Sequence, residues 1–248
     1  MNVVLALLVL ALAVAPFAAR AADLQVLAGG GISASLNELA KQFEATRGHK
    51  LTIRYGTTPD LIKMAISGEA FDLTVVPTEF MRNEAAKATV AVGRTVDVAR
   101  VGLGVAVKAG APRPDISSDA AFKGSFLKAG SIATIPASAA GMQILKLFEK
   151  LGIATETGAK IKALAGPADL VKAMAAGDAE LGIFLINILT APGLDVVGPV
   201  PAGLNQNVVY TCGVAAGSKN AEAALAFIEF LQTPEAKKVF VAKGMIAD

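Results

Sequence analysis

Between residues 24 and 77, three short apolar runs alternate with two amphipathic stretches, and this alternation limits the fold more than any other feature. Leu24-Gln25-Val26-Leu27-Ala28 has the pattern of a buried strand and stops at Gly29-Gly30-Gly31. Ser35-x-x-Glu38 fits a capping box. Behind it Leu36, Leu39, Ala40 and Phe43 recur at helical spacing, and Gly48 closes the helix. Leu51-Thr52-Ile53-Arg54-Tyr55 alternates as a strand. Thr58 suits an N-cap and Pro59 the first helical position, with Leu61, Ile62, Ala65 and Ile66 forming an apolar face. Phe71-Asp72-Leu73-Thr74-Val75-Val76 is a third strand, ended by Pro77. A β-α-β-α-β order predicts a mostly parallel sheet covered by helices, hence an α/β fold.

The pattern then repeats in kind. Residues 96–107 read as one long strand, and Gly110-Ala111-Pro112-Arg113-Pro114 breaks the chain. Residues 131–135 and 181–185 read as strands, with helices opening at Ser138 or Ala139 and at Pro167. Residues 208–214 are again strand-like, and two helical stretches follow, from Ala221 and from Pro234. The layout predicts two α/β lobes joined by two crossings, near 96–106 and 204–214. Lobe 1 is expected over 22–98 and 213–248, and lobe 2 over 99–212. Ligands of open α/β sheets bind beyond the carboxyl ends of strands, which places a site in the cleft between the lobes.

Residues 3–15 form an unbroken apolar run, shorter than the roughly 20 residues that span a bilayer. Ala19-Arg20-Ala21 is a small-x-small cleavage pattern, so residues 1–21 read as a cleaved secretory signal and the product as periplasmic. The formal charge of +2 provides no broad positive field, so nucleic acid is not an expected partner. One cysteine, Cys212, excludes a disulfide scaffold and a cysteine zinc cage; it is expected as a buried thiol. One histidine, His49, which looks exposed, cannot build a histidine-rich metal site or a Ser-His-Asp triad of the usual economy. Neither a metal nor a cofactor is expected, and no short-spaced carboxylate pair marks a catalytic centre.

Four loops leave strand ends at residues 29–35, 56–58, 136–141 and 165–167, and none contains a charge. Small residues let a ligand approach backbone amides closely. Helix N-termini carry unpaired N–H donors and about half a positive charge each. Converging in one cleft, such ends bind an anion without a cationic side chain. Gly31, Ile32, Ser33, Thr57 and Thr58 are candidates on the first two loops. Arg54, just before Gly56, is a candidate to pair with a ligand carboxylate. Tyr210 and Asn187 are polar groups at cleft-facing or hinge positions, each read first as a structural hydrogen-bonder, and Asn187 is kept as a candidate ligand group. The triple glycine lacks G-x-G-x-x-G spacing, and no Walker-A pattern is present.

The segments Val26-Leu27-Ala28-Gly29-Gly30-Gly31-Ile32-Ser33, Tyr55-Gly56-Thr57-Thr58, Gly68-Glu69-Ala70-Phe71-Asp72-Leu73, Pro136-Ala137-Ser138-Ala139-Ala140-Gly141 and Thr233-Pro234-Glu235-Ala236 resemble periplasmic molybdate-binding proteins. The likeness runs over essentially the whole chain after residue 21. It implies the two-lobed type II periplasmic-binding-protein fold, a monomer, and an ABC-transporter membrane permease as partner. That family holds its oxyanion with two serines or equivalents, two backbone amides and often a tyrosine. The resemblance puts the first serine at Gly31, the second at Thr57 or Thr58, the amides near Ala140 and Leu170, and the tyrosine near Leu185. Gly31 and Leu185 carry no donor side chain. Each oxyanion oxygen left unpaired in a closed cleft costs on the order of 1–3 kcal/mol. The expected function is therefore capture of a small anion by lobe closure, with an organic carboxylate favoured over molybdate. The alternative is an exported enzyme on the same fold, such as an aconitate isomerase acting on a tricarboxylate.

Overall fold

The computed structural model describes residues 21–204 and 206–247. The expected export signal, apart from Ala21, lies outside the described residues. Two five-stranded sheets are present. The first begins with β1 (Asp23–Gly29), β2 (Lys50–Gly56) and β3 (Leu73–Pro77), which pair in parallel in the order β2-β1-β3. Helix α1 (Ser33–Arg47) and helix α2 (Thr58–Ile66) cross over between them. A short helix α3 (Glu84–Lys87) leads into β4 (Val90–Val101).

The second sheet holds β5 (Leu103–Lys108), β6 (Ile132–Thr134), β7 (Ile161–Ala163), β8 (Leu181–Leu185) and β9 (Leu194–Pro199), in the order β7-β6-β8-β5-β9. Its helices are α4 (Asp119–Lys128), α5 (Ala139–Lys150), α6 (Ala154–Gly158), α7 (Pro167–Ala176) and α8 (Ile186–Leu189). The chain returns through β10 (Val208–Ala215), which runs antiparallel between β3 and β4 in the first sheet, and ends in α9 (Ala221–Leu231) and α10 (Pro234–Ala242). In each sheet four strands thus run in one direction and one, β10 in the first and β5 in the second, runs against them. The α/β architecture follows the alternation read from the sequence.

The residues expected to form one strand over 96–107 make two, because Gly102 separates β4 from β5 and the halves join different sheets. The chain crosses back between β9 and β10, over residues 200–207. Arg100 pairs its backbone with Ile246, at 2.8 and 2.7 Å, so the C-terminal segment closes against the first crossing.

The apolar face of α1 is buried as its spacing requires: Leu36, Leu39 and Phe43 are inaccessible to solvent. Phe43 meets Phe227 of α9 edge-on at 5.0 Å, and Lys243 pairs with Glu38 at 2.8 Å, which binds the C-terminal helices to α1. In the second lobe Phe126 contacts Phe122 at 4.5 Å and Phe148 at 5.3 Å. The expected capping box at the start of α1 does not form. The helix starts at Ser33, two residues earlier, and the buried Ser35 hydroxyl faces the Met245 sulfur at 3.4 Å. At α2 the N-cap is Thr57 rather than Thr58, with Asp60 completing the capping box. His49 is buried, not exposed: it stacks on Phe43 and its Nδ1 accepts from the Ala22 N–H at 3.1 Å.

Candidate functional site

Three helix N-termini and the glycine loop open on one cleft. Its outer chamber, about 260 Å³, is walled by Gly30, Gly31, Tyr55, Gly56, Thr57, Asp60, Ile135, Ser138, Ala165, Gly166, Pro167 and Phe184. An inner chamber of about 30 Å³ continues from it, walled by Gly29, Gly31, Thr58, Pro77, Ala139, Ala140, Leu185, Val208 and Tyr210 among others. The walls of both chambers carry no lysine, arginine or histidine among the described residues.

The donors come from local helix-start chemistry. In α5 the Ser138 hydroxyl accepts from the Gly141 N–H at 2.9 Å and donates to the Ile135 carbonyl at 2.8 Å. The cap therefore uses Ser138 fully and leaves the first-turn amides of Ala139 and Ala140 without an intrahelical partner, facing the inner chamber. In α2 the Thr57 N–H and hydroxyl both go to the Asp60 carboxylate, at 3.2 and 2.5 Å. Thr58 is buried, 4% exposed, and its hydroxyl has no partner. Of the two threonines, Thr58 lines the inner chamber as a residue and is the one whose buried hydroxyl has no partner. The start of α7, capped by Gly166 with Pro167 following, opens on the outer chamber.

Several residues singled out from the sequence do not meet here. Arg54 points away, because alternation along β2 sends it to the face opposite Tyr55. It pairs with the Glu69 carboxylate and donates to the Ala70 carbonyl at 3.4 Å. As its side chain is 30% exposed, Arg54→Ala is expected to cost no more than about 1 kcal/mol of stability, by chemical denaturation, and to leave ligand affinity unchanged. Ile32 is buried in the core of the first lobe, and Ser33 begins α1 without lining either chamber. The Leu170 amide donates to the Gly166 carbonyl at 3.0 Å, inside α7, so it is not a ligand donor; the earlier amides of that helix hold the free position.

Gly31, Thr57, Thr58 and Ala140 do line the cleft. Asn187 ties the lobes together, its Nδ2 donating to the Gly31 carbonyl at 2.9 Å. A second bond across the lobes runs from Gln143 Nε2 to Glu79 Oε1 at 3.1 Å.

Tyr210, expected at the cleft or hinge but read as a structural hydrogen-bonder, lines the inner chamber. It is 1% exposed; among the described residues its hydroxyl makes no hydrogen bond to the protein, and its oxygen is not one of those sealed from solvent. Burial, and next the nearby Glu79 charge, push its pKa up, so the hydroxyl stays protonated. The sequence signal for its place at the cleft is its position near the start of the strand that follows the second crossing. A side chain on Gly31 would lie 2.3 Å from both the Tyr210 hydroxyl and the Leu185 Cδ1.

Among the described residues no group of three or more His, Cys, Asp or Glu is placed to hold a metal ion, and no helix is long and apolar enough to cross a membrane.

Comparison with known proteins accords with this geometry. The chain is 33% identical to an aconitate isomerase of a Pseudomonas species over 230 residues, covering 90% of this chain and 87% of that one. It is 29% identical to the molybdate-binding protein ModA of Azotobacter vinelandii over 238 residues, covering 92% and 91%. The solved periplasmic molybdate-binding protein of Azotobacter vinelandii superposes with a TM-score of 0.76 at 18% identity, over 91% of this chain and 99% of that one. The sulfate-binding protein SubI of Mycobacterium tuberculosis H37Rv gives 0.76 at 16%, over 90% and 86%. These neighbours are type II periplasmic binding proteins and share the fold. The family model for bacterial extracellular solute-binding proteins matches residues 24–246, and the chain belongs to that family.

Proposed function

We propose that the protein captures a small organic anion with two or more carboxylates, closing its lobes on it and delivering it to an ABC-transporter permease from the periplasm. The two-part cleft carries this reading. The inner chamber has room for about one carboxylate, judged by the space a single water needs. Its walls supply the Ala139 and Ala140 amides and the Thr58 hydroxyl. The outer chamber is almost ninefold larger, and Ile135, Pro167 and Phe184 offer apolar surface for a carbon skeleton. A second carboxylate reaches the N-terminus of α7 there. A lone tetrahedral oxyanion would leave most of that space unfilled. The resemblance to a molybdate-binding protein supports an anion, and the resemblance to an aconitate isomerase supports a tricarboxylate.

A thermal-shift series with trans-aconitate, cis-aconitate, tricarballylate, sulfate, phosphate and molybdate tests this. At a hundredfold excess over Kd, a ligand adds about 2.7 kcal/mol, or roughly 5–10 °C for a chain of this size. The carboxylates are expected to raise the melting temperature; a rise with molybdate alone overturns the reading.

A second reading, turnover of the bound tricarboxylate, is favoured by Asp60, the carboxylate on the outer chamber wall. Isomerisation of aconitate requires a base beside the ligand to take a proton from one carbon and return it to another. Incubation with cis-aconitate and chromatographic detection of the trans isomer decides between capture alone and capture with turnover.

A further inference from the structure

We propose that Tyr210 is a ligand-binding residue, its hydroxyl donating to the anion in the inner chamber, and that Gly31 has no side chain because this hydroxyl occupies the place. The inference rests on the reading of that chamber as an anion site. Three independent observations carry it. The hydroxyl is the polar end of a side chain only 1% exposed; it makes no hydrogen bond to the described residues, and its oxygen is not one of the atoms sealed from the chamber. A hydroxyl that opens on a chamber without a protein partner is completed there by a ligand or by water. The chamber it faces is also lined by Thr58, whose buried hydroxyl has no partner, and by the free amides of Ala139 and Ala140. Finally, the glycine loop is shaped around it. A Cβ at Gly29 would lie 2.9 Å from the tyrosine ring, and one at Gly31 would lie 2.3 Å from its oxygen.

Thr58 comes from the first lobe's second loop, Ala139 and Ala140 from the second lobe, and Tyr210 from the strand on which the chain returns to the first sheet. The anion is therefore held by both lobes and by the start of β10, next to the second crossing. A ligand bonded there favours one arrangement of the crossing over others, which links occupancy directly to lobe closure.

Tyr210→Phe removes the oxygen and keeps the ring packed against Gly29 and Pro77. Affinities of wild type and Tyr210→Phe for trans-aconitate, tricarballylate and molybdate are compared by calorimetry. Arg54→Ala, outside the cleft, serves as the control. Loss of one donor to a charged group is expected to weaken carboxylate binding about ten- to a hundredfold in Tyr210→Phe. The ligand-free melting temperature is expected to fall little.

The chain has two tyrosines and no tryptophan, and both Tyr55 and Tyr210 line the cleft. Tyrosine emission thus reports from the cleft alone. Ligand is expected to change it in wild type, and most of that change is expected to vanish in Tyr210→Phe.

Unchanged carboxylate affinity in Tyr210→Phe overturns the assignment while leaving the proposed function standing. Wild type that binds molybdate and no carboxylate overturns the proposed function, and the Tyr210→Phe affinity for molybdate then judges the tyrosine separately. Wild type that binds none of the probes overturns both. If Tyr210→Phe melts far below wild type, the emission of wild type decides, and no change on ligand binding counts against the tyrosine.

Discussion

Gly141→Ala is expected to lower the melting temperature by about 6–12 °C and to abolish ligand binding. A Cβ at this position would lie 1.9 Å from the Ile135 carbonyl oxygen, 2.6 Å from its carbon and 2.7 Å from the Pro136 Cα. All three are backbone atoms of the loop that leads into α5, so no rotamer change relieves the overlap. Overpacking of this kind costs about 1–3 kcal/mol and more where the neighbour is fixed; about 3 kcal/mol corresponds to the stated fall for a chain of this length. Displacing the loop also moves the Ser138 cap, and with it the amides of Ala139 and Ala140. Differential scanning calorimetry and a calorimetric titration with trans-aconitate measure the two effects. A variant with the wild-type melting temperature would mean that the loop yields at little cost.

Gly31→Ser is expected to lose at least tenfold in carboxylate affinity and to gain none for molybdate. By resemblance, a hydroxyl at this position belongs to a molybdate site, so restoring it looks like a route to that ligand. The structure opposes this. The new Cβ would meet the Tyr210 hydroxyl and the Leu185 Cδ1, each at 2.3 Å. The tyrosine ring has little room to retreat, since it already rests against Gly29. The clash falls on the wall of the inner chamber and beside the Asn187 bond to the Gly31 carbonyl, so the lobes no longer close as they do in the parent chain. A titration series with both anions reads the outcome, and tight molybdate binding by Gly31→Ser would show that the tyrosine moves aside freely. The double variant Gly31→Ser, Tyr210→Phe is expected to recover part of the loss, because the two residues touch and their effects do not add.

The periodicity of apolar residues was enough to specify the alternating strands and helices, because burial of one helix face or both strand faces leaves its mark on neighbouring residues. The loops at strand ends were legible for the same reason: Gly, Ser, Thr and Pro at helix starts satisfy local backbone geometry, and Ser138 and Thr57 do so here. Signals shared between distant segments were not legible. Ser35 and Glu38 have the spacing of a capping box, but their side chains face Met245 and Lys243, more than 200 residues away. The split of residues 96–107 into two sheets depends on which neighbours each half finds.

What the sequence by itself determined is the α/β order and the small-residue loops that start helices at the strand ends, both products of interactions within a few residues. Only the tertiary structure decided which groups face that cleft. It turned Arg54 outward to Glu69, used the Thr57 hydroxyl on Asp60, and left that of Thr58 free. It also set the Tyr210 hydroxyl in the space beside Gly31, 179 positions earlier in the chain. The direction of a side chain follows from strand register and from the packing of distant neighbours, which no local pattern encodes.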